Sequence, residues 1–106
     1  MRDGLYKACF ETPLGSDFGV VHAVGGKIWG GDSNMFYVGS YVTSGSEVTA
    51  HVSTKRHSLG HLSVFWSDSN EVDLKGITQG DTVQFTGRAP RLLNNTFQII
   101  LTRIAD

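Results

Sequence analysis

This chain is poor in the residues that would make it catalytic, secreted or membrane-bound. It has one cysteine, Cys9, so an internal disulfide and a zinc cage of several thiolates are both excluded. It has two prolines in 106 residues. No apolar run approaches the ~20 residues a membrane helix needs. The opening Met1-Arg2-Asp3-Gly4 lacks the apolar centre of a signal peptide. Neither charge sign dominates: 9 basic and 10 acidic residues give a net charge of -1, with no block of like charge to attract nucleic acid or anionic lipid. A 3.6-residue apolar stripe is missing everywhere. The expectation is one cytoplasmic, soluble domain over residues 1–106, binding neither nucleic acid nor membrane.

What the chain does have is glycine, 13 residues of it, spread between short alternating segments. The richest stretch is Gly25-Gly26-Lys27-Ile28-Trp29-Gly30-Gly31-Asp32. A helix interior could not hold it, because each Gly costs about 1 kcal/mol there relative to Ala. It reads as a hairpin turn, a short strand and a second break. Strand patterns cover residues 5–12, 19–24, 27–30, 35–43, 47–54, 62–66, 71–77, a run around Val83 and Phe85, and 97–104. Turns are expected at 13–17, 25–26, 44–46, 67–70 and 79–81, and residues 32–34 read as a loop or a single helical turn. Tyr6, Ala8 and Phe10 share one side of the first strand, opposite Lys7 and Glu11. Tyr37, Gly39 and Tyr41 share a face, as do Val48, Ala50 and Val52, and Phe97, Ile99 and Leu101. Eight or nine short strands about ten residues apart indicate a barrel or sandwich, and consecutive hairpins favour an up-and-down meander. The fold class is all-β, a small antiparallel barrel of about eight strands. An interior of that size is filled by side chains or holds one small ligand.

Four pieces carry a resemblance: Asp3-Gly4-Leu5-Tyr6 with Phe10, then Gly25 to Asp32, then Tyr37-x-Gly39, then His51-Val52. In that order they resemble the GrlR-like family, negative regulators of type III secretion and their bacterial relatives. The likeness covers the chain to about Phe65. It implies a lipocalin-like barrel, dimerisation, no catalysis, no cofactor, and control of a transcriptional activator through protein contact. The family's partner-binding loop would fall at Ser44, Gly45, Ser46 and Glu47, where only Glu47 is acidic.

The candidate sites follow from side-chain chemistry. Tyr6, Phe10, Ile28, Tyr37, Tyr41, Phe85 and Phe97 point to one interior, and a buried tyrosine hydroxyl there needs a partner, which water or the polar end of a small apolar ligand could supply. Trp29, Phe36 and Trp66 point outward and mark an interface. Uneven strands would also leave sheet edges for a second copy to cover. Among histidines, His57 and His61 lack a helix to aim them together, and His22 and His51 fall on different strands, so no metal site is expected. Cys9 reads as a small packing residue, and Asp32, Asp68, Asp73 and Asp81 as turn formers. Lys55-Arg56-His57, with Arg88 and Arg91, reads as a solvated loop. The functional expectation is a non-catalytic regulator or binding module that forms a homodimer, with an intracellular carrier of a small apolar ligand as the alternative.

Overall fold

A computed structural model describes residues 1–12, 15–58, 69–88 and 96–106. Eight strands are present: β1 (Gly4–Thr12), β2 (Gly15–Val24), β3 (Lys27–Gly31), β4 (Met35–Ser44), β5 (Glu47–Arg56), β6 (Ser69–Gln79), β7 (Thr82–Arg88) and β8 (Thr96–Ala105). Each pairs antiparallel with the next, and β8 pairs back onto β1, so the meander is a closed barrel. Among the described residues there is no helix, and none long and apolar enough to cross a membrane.

Tight turns make this order possible. Val24 pairs Lys27, Ser44 pairs Glu47 and Gln79 pairs Thr82, so each of these hairpins turns on two residues. At the first, Gly25 and Gly26 have φ of 58° and 85°. Both values are positive, as a type I′ turn requires, and its twist matches that of the flanking strands.

Alternation then sorts the side chains. Tyr6, Ala8 and Phe10 of β1 face inward, as do Val48, Ala50, Val52 and Thr54 of β5. Val72 and Leu74, Val83 and Phe85, and Phe97, Ile99 and Leu101 complete the same cluster from β6, β7 and β8. Every strand buries one face, so a one-residue slip would turn its core residues to water; this holds the register.

Several boundaries differ from the sequence expectation. Residues 15–17 belong to β2 and pair with 10–12 of β1, so they are strand and not part of the turn expected at 13–17. Lys55 and Arg56 extend β5 opposite Phe36 and Met35, and Ser69 and Asn70 extend β6 opposite Lys55 and Thr54. Cross-strand hydrogen bonds carry these polar residues into the sheet despite their turn-like composition. Residues 32–34 form a bend, the loop of the two expected alternatives. The strand expected at 62–66 lies outside the described residues. β1 and β8 pair, so no strand is an edge along its whole length, while the short β3 leaves residues 15–19 of β2 and 42–44 of β4 beyond its ends.

Candidate functional site

A barrel of eight strands encloses an interior that can hold a small ligand. All seven side chains expected inside, Tyr6, Phe10, Ile28, Tyr37, Tyr41, Phe85 and Phe97, are buried. Phe10, Ile28, Tyr37 and Phe85 line a cavity of about 40 Å³ together with Val52, Thr54 and neighbouring aliphatics, while Tyr6, Tyr41 and Phe97 lie outside its lining. That space admits one or two water-sized guests, well short of the roughly 300 Å³ at which small-molecule sites begin. Phe10 and Tyr37 pack with ring centroids 5.3 Å apart.

The three tyrosine hydroxyls find partners in the chain itself. Tyr6 donates to the Arg2 carbonyl at 2.6 Å, and Tyr41 to the Asp3 carboxylate at 3.4 Å. Tyr37 donates to Asp32 Oδ2. Burial, then this bond and the charge of Asp32, push the Tyr37 hydroxyl far above its ordinary range; burial does the same, more modestly, to Tyr6. Asp32 Oδ1 meanwhile accepts from the backbone N–H of Asn34 and of Met35, each at 2.8 Å. One carboxylate thus shapes the β3–β4 connection and anchors a core ring. Thr54 Oγ1 has no hydrogen-bond partner among the described residues, although it is buried.

The outside of the barrel is more unusual. Phe18, Val20 and Val24 of β2, Trp29 of β3, and Phe36, Val38 and Val42 of β4 are all exposed. Among the described residues only Ile77 and Ile104 join them as strongly exposed large apolar side chains. The register brings most of the first group together, with Lys27 and Ser40 between Val24 and Val42. Trp29 sits between His22 on β2 and Val38 on β4, and Gly31 sits between Val20 and Phe36. The His22 and Trp29 rings meet edge to face at 5.0 Å. Trp29, at 45% exposure, and Phe36, at 38%, thus point outward as the sequence alternation indicates; Trp66, the third residue of that expectation, lies outside the described residues. The five others on this face were not singled out from sequence. A signal existed, because residues 19–24 are apolar at both parities, which a strand with one wet face does not need.

On the far side of β4, the apolar face gives way to a polar cluster. His51 of β5 reaches Asp73 Oδ1 through Nδ1 at 2.7 Å and Glu71 Oε2 through Nε2 at 2.8 Å. Ser53 Oγ lies 2.8 Å from both Glu71 oxygens. The bonds to Asp73, then to Glu71, hold the His51 pKa above its ordinary value; those from Ser53, then His51, hold that of Glu71 below its own. Asp73 is therefore a mid-strand residue, not the turn former expected from its type. Asp68 and His61 lie outside the described residues.

Among the described residues, no three His, Cys, Asp or Glu side chains could hold a metal ion. His51 shows why: its two nitrogens face opposite ways toward the two carboxylates instead of converging with them. Cys9 is half-buried on the outer side of β1. Ser44, Gly45, Ser46 and Glu47 form a two-residue turn with exposed side chains, closed by Ser44 pairing Glu47. It offers a single carboxylate. A scan against protein-family models matches none, and a search of curated proteins finds no match.

Proposed function

We propose that this protein is a non-catalytic binding module that works by protein–protein contact through the outer apolar face of β2, β3 and β4. A second copy of the chain covers that face at rest. A transcriptional activator is the regulated partner, and the compartment is the cytoplasm, in keeping with the resemblance to GrlR-like regulators.

One observation carries the reading: the contiguous exposed set built around Trp29, Phe36 and Val38. Roughly half-exposed rings and branched side chains over three strands offer on the order of 600 Å² of apolar surface, the upper end for a lone soluble domain. A standard interface takes about 800 Å² from each partner, so a modest polar rim completes one. Two such faces can pack as sheets do, about 10 Å apart and inclined by about 30°. The two-residue β4–β5 turn, with Glu47 as its lone acid, offers little to a basic partner, which leaves the apolar face as the stronger contact. The apolar-ligand alternative finds no comparable support. Its cavity is too small, and the tyrosine hydroxyls already have partners.

Sedimentation equilibrium at micromolar concentration tests the reading. The wild type is expected at twice the monomer mass. Val38→Glu, which places a charge at the centre of the face, is expected to be monomeric with an unchanged circular dichroism spectrum. A wild type that stays monomeric throughout overturns self-association. An apolar fluorescent probe is expected to gain no signal inside the barrel; strong uptake that persists in Val38→Glu would restore the ligand reading.

A further inference from the structure

The polar cluster borders the apolar face directly. His51 pairs Ser40 of β4, and Ser40 lies between Val38 and Val42 on the outward side of that strand. Beyond Ser40 in the same row stands Lys27 of β3. On the other side, Asp73 and Glu71 of β6 hold the ring, with Lys75 next along β6 and Arg88 of β7 opposite Asp73. Thr49, Ser53 and Lys55 flank His51 on its own strand.

This geometry ties the charge of the border to one proton. A neutral imidazole has one N–H to donate; an imidazolium has two. With both ring nitrogens set against carboxylates, the protonated ring satisfies both and leaves the trio with a single net negative charge. Loss of the proton leaves one carboxylate without its donor and raises the trio to two negative charges. Docking on the neighbouring apolar face removes water from this border, and an uncompensated charge costs more where water is scarce. On that basis, and resting on the docking reading above, we propose that protonation of His51 gates association through the β2–β4 face: the dimer tightens when His51 is charged and loosens when it is neutral. The raised pKa of His51 places the charged form across much of the weakly acidic range. His22 lies within the face against Trp29, so the test uses a variant that keeps it.

The experiment compares wild type with His51→Gln by sedimentation at about pH 5.5 and about pH 8.5, either side of an ordinary imidazole. The wild-type dimer is expected to weaken by about threefold or more at the higher pH, relative to any change in His51→Gln, as proton linkage requires. Equal pH responses in the two proteins overturn the gate. A nuclear magnetic resonance titration of the His51 ring runs alongside, in wild type and in Glu71→Gln/Asp73→Asn. Its midpoint is expected to fall in the double variant; an unchanged midpoint overturns the clasp even where the dimer forms. A wild type monomeric at both pH values, with the midpoint shift intact, places the failure in the docking reading and removes the gate with it.

Discussion

Asp32 shows how much one side chain can organise. It bonds two backbone N–H groups of its own loop and takes the Tyr37 hydroxyl from the core. Its loop role was legible, because Asp favours turns by accepting from nearby backbone. Its partnership with Tyr37 was not, since it needs the β4 side chain to lie back over the β3–β4 bend. Tyr37→Phe removes the donor while keeping the ring, and a hydrogen bond to a charged acceptor makes the expected loss about 2 kcal/mol in urea unfolding. Thr54 presents the opposite case. Its hydroxyl is buried beside the cavity with no partner among the described residues. Thr54→Val is expected to be neutral or to stabilise by about 1 kcal/mol in the same measurement, because an unsatisfied polar group is replaced by carbon of the same shape.

The strands and hairpins were the most readable level. Period-two alternation put Tyr6, Ala8 and Phe10 on one side and Lys7 and Glu11 on the other, and the barrel keeps that division. Gly30 marks a close approach between β2 and β3, where an added Cβ would lie 2.0 Å from the Val20 carbonyl oxygen. No side-chain rotation relieves a clash with backbone, so Gly30→Ala is expected to cost at least about 2 kcal/mol, seen as an earlier thermal transition. The β5–β6 clasp adds a pH dependence whose sign differs for its two ends. His51 contributes fully below its ordinary value of 6.5 and loses that contribution as pH rises through its raised folded value. Glu71 contributes above its ordinary value of 4.5 and loses it as pH falls through its lowered folded value. Both groups are exposed, so the effect is small. Thermal midpoints across pH should show a shallow decline above neutrality that His51→Gln flattens.

At the level of the whole molecule, closure decides what is available for function. A barrel whose last strand pairs its first has no strand that is an edge along its whole length, so its faces are the larger surface open to a partner. The interior is occupied by the chain's own rings and hydroxyl partners, which moves attention to the outside. There, β2 to β4 carry an apolar surface continuous across three strands, bordered by a proton-sensitive cluster on β5 and β6. Trp29→Ser is expected to weaken self-association by roughly fivefold or more, since a central aromatic anchor commonly carries over 1 kcal/mol of an interface; sedimentation reads the change directly.

Local patterns in the chain determined the strand class, the turn positions and which residues face inward, because alternation and turn chemistry act over a few neighbouring residues. They also marked Trp29 and Phe36 as outward. Only the tertiary structure decided that the meander closes, that Val20, Trp29 and Val38 join into one surface, and that His51 meets Glu71 and Asp73. Those facts depend on register between strands. Register is set by pairing across space, and for β5 with β6 the partners are separated by residues 57–68, too long a separation for a local pattern to count across.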